Sequence, residues 1–248
     1  MATQAVKFLQ HKSAGEGYFV MIEAGRIDQA HHNGKATKAL SETLAFDKAV
    51  EEVMKLVNTS DTLVIVTADH AHTLSIGGYT GRFHDITGAV EDPMGYENEA
   101  EDGESLSILS YGKVKEVQRL ASLCALCEGN GPGFERFNTT GAGDWTKIQR
   151  ETLARDEAAD YSYLQPSGQP IGSETHGGDD VGIWAVGPMA HMFHGVHEQS
   201  YIAHVMSYSA CIGPHSDHGR CAIRSSALSL QAVSWSLVLV LVSSFCAI

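Results

Sequence analysis

Residues 18–32 read Tyr18-Phe-Val-Met-Ile-Glu-Ala-Gly-Arg-Ile-Asp-Gln-Ala-His-His32, a short apolar run followed at once by acidic and histidine residues. The apolar run Tyr18–Ile22 is partly β-branched and predicts a buried strand that ends at Glu23. Asp28 and His32 are four residues apart, so on one helical turn their side chains project in the same direction. The stretch therefore predicts a strand that leads directly into a metal site.

The sequence that follows predicts a helix and a second strand. Apolar residues recur at helical spacing from Ala36 to Val57, with Lys and Glu on the other face. The run Thr62–Thr67 predicts a second buried strand, and strand, helix and strand together predict a right-handed βαβ unit with parallel pairing. A third apolar strand at Val181–Val186 and a closing helix at Gln199–Ala210 complete the prediction of an α/β fold.

The middle of the chain has weaker periodicity and is richer in Gly, Pro and acidic residues. We interpret it as a loop-rich insertion that contains one candidate strand, Leu106–Tyr111. The predicted organisation has four parts: a metal-binding α/β core segment at 1–78, the insertion at 79–174, a C-terminal core segment at 175–224 and a terminal tail at 225–248.

Composition excludes several classes of protein. The chain is 43% hydrophobic and 19% charged, which argues against disorder. A formal net charge of -13 and the lack of any Lys/Arg-rich run argue against a nucleic-acid partner. Thirteen histidines, several of them close to Asp or Glu, are typical of a metal-binding protein.

Two more clusters of metal-ligating residue types follow predicted strands or loops. Asp69 and His70 come directly after the second strand, and His176 lies among small residues in Glu174-Thr-His-Gly-Gly178. Each cluster alone has a plainer explanation as a helix cap, a turn residue or a loop histidine. All of them together, at the strand ends where open α/β sheets build their sites, favour one shared metal centre.

The two ends of the chain predict different things about export. Residues from Met1 onward contain no secretory signal. Ser225 and Ser226 are small residues, and the apolar run from Val233 to the end follows them, which is the arrangement of a glycosylphosphatidylinositol attachment signal. We expect that an N-terminal part of the parent protein is absent from this chain, and that the parent is anchored at the outer face of the plasma membrane.

Cysteines and glycosylation sequons agree with export. Cys211 and Cys221 could close a small loop by a disulfide, and Asn58 and Asn138 begin sequons. The C-x-x-C pair at 124–127 has no second pair to complete a four-cysteine zinc site, so we interpret it as incidental.

The amino-acid sequence of several segments resembles that of the alkaline phosphatases, in particular the animal tissue-nonspecific type. The segments are Ile22–His32, Val66–His72, Gly77–Tyr79, Glu174–Val181 and His194–Glu198. The resemblance implies that Asp28, His32 and His176 bind a first zinc ion, that Asp69 and His70 bind a second, and that Glu23 binds magnesium. It also implies hydrolysis of phosphate monoesters through a phosphoserine, a homodimeric parent, and a central sheet covered by helices, of which this chain supplies part, with a crown-like insertion.

The sequence departs from that family in two places. The Asp-Ser-Ala motif that carries the family's nucleophilic serine does not occur, so we expect little activity from this polypeptide alone. Residues 113–128 have no counterpart in the resemblance and predict an inserted stretch. The alternatives are an inactive, membrane-anchored, metal-binding pseudoenzyme and a related phosphodiesterase or phosphomutase. A metallopeptidase is disfavoured because the chain has no H-E-x-x-H.

Overall fold

The computed structural model describes residues 1–78, 80–90, 107–115, 159–165, 167–171, 173–216 and 239–242. Their regular elements, apart from two short 3-10 helices, are α1 (Ala2–Lys12), β1 (Val20–Glu23), α2 (Arg26–His32), α3 (Ala36–Met54), β2 (Val64–Thr67), β3 (Ala71–His72), β4 (Leu74–Ile76), β5 (Leu109–Lys115), β6 (Ser167–Ile171), β7 (His176–Gly177), β8 (Ile183–Val186), α4 (Tyr201–Ala210) and β9 (Leu239–Val242). The mixture of helices and strands is compatible with the predicted α/β class. Residues 79–174, predicted to form a crown-like insertion, lie largely outside the described residues.

The chain divides into two compact units. The first comprises Met1–Ala24, Leu44–Asp69 and Val181–Phe245, and the second comprises Gly25–Thr43, His70–Asp180 and Cys246–Ile248. The four-part division made from the sequence stays a prediction.

The first unit contains a four-stranded sheet in the order β1-β9-β2-β8. Strand β9 is parallel to both β1 and β2, whereas β2 pairs antiparallel with β8. The predicted direct pairing of the first two strands is therefore wrong, because β9 from the C-terminal tail lies between them. An apolar tail run can form hydrogen bonds with two strand edges at once, which the order of β1 and β2 in the sequence does not reveal.

Burial in this sheet follows the position of each strand. In β2, Val64 and Ile65 are buried, as expected for an interior strand. In β1 and β8, half-buried and exposed residues alternate, and Met21 and Trp184 are 62% and 57% exposed. The prediction that the first strand is buried is wrong for this reason, since β1 is an edge strand of the described sheet.

The core of the first unit covers one face of the sheet. Leu63 and Ile65 pack against partly buried apolar residues from β8, α4 and the 3-10 helix at Ala190–Phe193: Ile183, Ala185, Ala190, Phe193, Ile202 and Met206. Gly187 ends β8 with a φ of 108°, and a Cβ there would lie 2.1 Å from the carbonyl oxygen of Thr62. Only glycine fits this turn.

The second unit contains two small sheets and helix α2. Strands β3 and β7 pair antiparallel, and β5 pairs antiparallel with β4 and parallel with β6. Helix α2 ends at His32 and is followed by Gly34, whose φ of 67° allows the amides of Gly34 and Lys35 to bond back to His31 and Ala30. A small core of Ala36, Leu74, Leu109 and Tyr111, with Leu40, holds the unit together.

Several predicted elements are confirmed within a few residues. The predicted strands at 62–67 and 181–186 correspond to β2 and β8, and the predicted helices at 36–57 and 199–210 correspond to α3 and α4. The candidate strand Leu106–Tyr111 is β5, which continues to Lys115 and so includes the first residues of the stretch 113–128. Helix α1 was not predicted. No helix in the described part of the chain combines the length and apolarity that crossing a membrane requires.

Some predictions fall on residues outside the described ranges. These are the C-x-x-C pair, the Asn138 sequon, the serines of the attachment signal and most of residues 113–128. Asn58, by contrast, is exposed, and its side-chain oxygen accepts a hydrogen bond from the amide of Ser60. Cys211 is disulfide-bonded, while Cys221 lies outside the described residues, so the pairing of the two stays a prediction.

Candidate metal centre

Helix α2 presents Asp28 and His32 on one side, as their spacing predicts. Ile27, Ala30 and His31 are buried and anchor the opposite side of the helix. Asp28 Oδ1 lies 3.3 Å from His32 Nε2. Two metal-ligating atoms are therefore side by side on a short helix that is held in place by its apolar face.

The pairing of β3 with β7 brings His176 to the same place. In the register of these strands His72 is directly opposite His176. His176 Nε2 lies 3.2 Å from His32 Nε2 and 3.7 Å from Asp28 Oδ1. Gly177 makes this approach possible, because a Cβ there would lie 2.8 Å from the carbonyl oxygen of His72.

A main-chain contact decides which nitrogen of His32 faces this cluster. His32 Nδ1 lies 2.6 Å from the carbonyl oxygen of Glu174, so this nitrogen donates a hydrogen bond and carries the hydrogen. The lone pair of Nε2 then points toward Asp28 and His176. A histidine held by such a second contact is the arrangement that zinc ligands in proteins typically show.

The donor set fits a zinc ion. A tetrahedral zinc with bonds of about 2.0–2.1 Å separates its ligand atoms by about 3.3 Å. The three separations among Asp28, His32 and His176 are 3.2, 3.3 and 3.7 Å. One carboxylate and two imidazoles also form a typical zinc ligand set, with a fourth position left for another ligand.

Two further histidines lie close to Asp28. His70 Nε2 lies 3.7 Å and His72 Nε2 lies 3.1 Å from Asp28 Oδ1, so these three residues form a second group that could hold a metal ion. The ring of His70 stacks on that of His176 with centroids 3.5 Å apart. His32, His72 and Glu174 form a third such group. Because the groups share residues, they cannot all bind separate ions at once.

The cluster is sealed on one side and open on the other. The side chains of His72 and Glu174 are 0% exposed, whereas those of Asp28, His32 and His176 are 26%, 32% and 51% exposed. A metal ion would therefore approach from the side of His176, and His72 and Glu174 would contact the ligands on the buried side.

Burial and neighbouring imidazoles lower the pKa of two histidines, His31 and His176. Burial, and then the neighbouring His72, lowers the pKa of His31 to about 3. Burial, and then the neighbouring His70 and His32, also lower the pKa of His176. Several imidazoles in one place disfavour protonation of each other. Neutral imidazoles are the form that binds metals, and the lowered pKa of His176 favours that form of this residue at neutral pH.

Comparison with known proteins shows the family of this chain. The sequence model of the alkaline phosphatase family matches residues 1–212. The chain belongs to the alkaline phosphatase family. It is 39% identical to the tissue-nonspecific alkaline phosphatase isozyme of Homo sapiens over 241 residues, 97% of this chain and 39% of that protein.

Other alkaline phosphatases give the same result. Identity is 39% to the enzyme of Gadus morhua over 86% of this chain, and 39% to the tissue-nonspecific isozyme of Felis catus over 92%. The matches cover 38% and 37% of those relatives. The chain thus spans less than two fifths of the length of the alkaline phosphatases that it matches.

The structure brings together four of the six predicted site residues: Asp28, His32, His70 and His176. Glu23 is the exposed last residue of β1. Asp69 is exposed after β2, and its main-chain oxygen accepts a hydrogen bond from Gln199. Both belong to the first unit and occur in none of the three metal-capable groups among the described residues, so their metal-binding roles stay predictions.

Sequence reasoning missed two members of this alkaline phosphatase cluster, His72 and Glu174. Both stand in segments that carry the family resemblance, but the resemblance was carried over only to the ligands themselves. The spacing of His70 and His72 was a signal, because alternate residues of an extended segment point to the same side. Nothing in the local sequence indicated that Glu174 would be buried beside His72.

Proposed function

We propose that the parent protein hydrolyses phosphate monoesters at a centre that includes Asp28, His32 and His176. The observation that carries the proposal is the convergence of these three side chains, with the Nε2 atom of His32 left free by its contact to Glu174. Membership of the alkaline phosphatase family supports the reaction class.

The proposed ligand sets are those that the family resemblance implies. Asp28, His32 and His176 would hold one zinc ion, Asp69 and His70 would contribute to a second, and Glu23 would contribute to a magnesium site. Zinc suits imidazole ligands, and oxygen-bound magnesium suits a carboxylate. When bound, such ions supply charge stabilisation for phosphoryl transfer and lower the pKa of a bound water.

In the proposed reaction the residues of this chain supply charge, leave access for the ester and position the reacting groups. Asp28 contributes negative charge where four imidazoles meet, and its carboxylate sets the spacing of the ligand atoms. The exposed edge of His176 leaves access for the anionic ester. Helix α2 and strand β7 hold these groups in place before the substrate arrives. This reduces the conformational entropy that the site loses when the substrate binds.

We further propose that the 248-residue polypeptide by itself turns over phosphate monoesters poorly. A phosphoserine pathway needs the nucleophile of an Asp-Ser-Ala segment, and these residues contain none. One alternative is a metal-binding pseudoenzyme. It is favoured by the same observation, since the ligands of the first centre are present without that nucleophile.

Zinc binding and phosphate release test the proposal together. We expect the purified chain to bind one zinc ion tightly in competition with a chromophoric chelator, and to release little phosphate from p-nitrophenyl phosphate. Asp28→Asn should abolish the tight zinc site. Asp179→Asn, an exposed carboxylate near His176 in sequence, is the matched control and should bind zinc normally.

Each outcome has a distinct meaning. The absence of tight zinc binding in the wild-type chain would refute the first centre. Two tight ions would refute the incomplete second centre. Phosphate release at rates typical of the family would refute the proposed need for a further segment.

The remaining predictions on location and assembly are also proposals. We propose that residues 225–248 act as a lipid-attachment signal for the outer face of the plasma membrane, and that the parent forms a homodimer, as the family resemblance implies. Support comes from the small residues at 225–227 ahead of the apolar tail. Release of the mature parent from cells by a phosphatidylinositol-specific phospholipase tests the anchor.

A further inference from the structure

Glu174 is a fully buried carboxylate with three close hydrogen-bond donors. Its Oε2 atom lies 2.6 Å from His72 Nδ1. Its Oε1 atom accepts hydrogen bonds from the amide and the hydroxyl of Thr73, at 2.7 and 2.8 Å. A buried charge is costly unless it is paired and hydrogen-bonded, so three donors define both the position and the orientation of this carboxylate.

The main chain of the same residue holds His32. The amide of Glu174 donates to the carbonyl oxygen of His32 at 3.1 Å, and the carbonyl of Glu174 accepts from His32 Nδ1 at 2.6 Å. Glu174 is thus bonded to His32 through its backbone and to His72 through its side chain. His176, two residues further on, is brought into the cluster by the same segment.

The ring of His72 lies between the carboxylates of Glu174 and Asp28. Its Nδ1 atom faces Glu174, and its Nε2 atom lies 3.1 Å from Asp28 Oδ1. The ring is fully buried and stacks on His31 with centroids 4.5 Å apart. A ring held at Nδ1 and stacked on one face has a single orientation, which places its Nε2 atom beside the Asp28 carboxylate.

We propose that Glu174 is a positioning residue of this centre: its main chain orients His32, and its side chain orients His72 so that the Nε2 atom of that ring lies beside Asp28. The significance of this positioning for catalysis rests on the proposed function, but the positioning itself does not. The third metal-capable group, His32, His72 and Glu174, does not compete with this role, because both imidazole Nδ1 atoms are already hydrogen-bonded to Glu174.

The proposal predicts a specific change of tautomer at His72 in the isosteric variant Glu174→Gln. The two Thr73 donors should hold the amide oxygen of the new side chain, so that its NH2 group faces His72 Nδ1. His72 Nδ1 must then lose its hydrogen and accept the bond. We expect nitrogen-15 NMR of the zinc-free chain to show this change at His72, while His32 keeps its hydrogen on Nδ1 because its partner is a main-chain carbonyl.

Zinc affinity provides the second measurement. Glu174→Ala removes the support of His72 and should weaken zinc binding about 10- to 100-fold, the usual cost of losing an outer-shell partner. Ser173→Ala is the matched control, since the hydrogen bonds of the Ser173 hydroxyl to described residues are long main-chain contacts of 3.3 and 3.4 Å. It should leave both zinc affinity and the tautomers unchanged.

The results separate this proposal from the proposed function. If the wild-type chain does not bind zinc, the metal assignment fails, while the tautomer comparison still decides the role of Glu174. An unchanged Nδ1–H signal of His72 in Glu174→Gln overturns the positioning role. Simultaneous changes at His72 and His32 in that variant also overturn it, because they would indicate that Glu174 merely maintains the fold.

Discussion

The four-stranded sheet of the first unit and the histidine cluster of the second unit are specified in different ways. The sheet depends on apolar side chains such as Ile65, which any residue of similar size and apolarity can replace at moderate cost. The cluster depends on particular atoms, such as Nε2 of His32, and their hydrogen-bond partners. The sheet should therefore respond to substitutions in proportion to volume, and the cluster should respond according to chemical identity.

The largest effect is expected from deleting residues 225–248, which removes β9 from between β1 and β2. Both strands would then expose unpaired edges, and such edges promote association. We expect the truncated chain to form oligomers or aggregates in size-exclusion chromatography with light scattering. Deletion of residues 243–248 alone retains β9 and is the control.

A monomeric truncated chain with protected amides in β1 and β2 would contradict this expectation. It would also mean that the apolar tail acts only as a removable signal. Aggregation would show that another strand must pair with β1 and β2 once the tail is cleaved.

The next largest effect is expected from His32→Gln, which replaces a nitrogen of the proposed zinc site by an amide, a group that zinc sites in proteins do not typically use. Because losing an outer-shell partner already weakens metal binding 10- to 100-fold, we expect losing a ligand to weaken it on the order of 100-fold or more. Chelator competition measures the affinity, and circular dichroism checks that the variant is folded. Unchanged zinc affinity would remove His32 from the centre.

Substitutions at Ile65 should show graded effects in the sheet. Ile65 is 0% exposed, so Ile65→Ala should lower the free energy of unfolding by about 2–5 kcal/mol and Ile65→Val by about 0.5–1.5 kcal/mol. Urea unfolding measures both. Exposed Leu44 provides the control, because Leu44→Ala removes the same kind of side chain from a position that is 71% exposed. Equal losses at the two positions would contradict the assigned core.

The smallest effect concerns pH. Burial lowers the pKa of His31 to about 3 from an ordinary value of 6.5. Between these values the unfolded chain binds more protons at this position than the folded chain does. The contribution of His31 to stability is therefore complete above pH 6.5 and is lost as the pH falls, by at most about 1.4 kcal/mol per pH unit.

Urea unfolding of the zinc-free chain at pH 7.5, 6 and 5 measures this slope. The variant His31→Gln should have a shallower slope, although it also loses the 2.7 Å contact between His31 Nδ1 and the Tyr111 hydroxyl. Parallel slopes for the two proteins would show that His31 titrates normally in the folded state.

Local patterns predicted many of the elements. The apolar runs that became β2 and β8 and the periodic segments that became α3 and α4 carry their signals within a few consecutive residues. The same holds for Asp28 and His32, whose helical spacing predicted their proximity. The burial of β1 was predicted wrongly because an apolar run does not reveal whether its strand is at an edge or in the interior of a sheet.

Long-range pairing was beyond local reasoning. The position of β9 depends on hydrogen bonds between residues that are far apart in the chain, such as Val64 and Leu239. The partnership of His72 with Glu174 joins residues separated by 102 positions. Neither contact has a periodic signature, so both become visible only when the chain is folded.

The amino-acid sequence alone determined the α/β character, the family resemblance and the candidate metal-binding residues, because these are properties of short segments and of residue chemistry. The tertiary structure alone decided the strand order, which nitrogen of His32 is available to a metal, and the contacts of Glu174 with His32 and His72. The reason is physical: a tautomer and a buried charge are determined by the atoms that surround them in the fold, and those atoms come from distant parts of the chain.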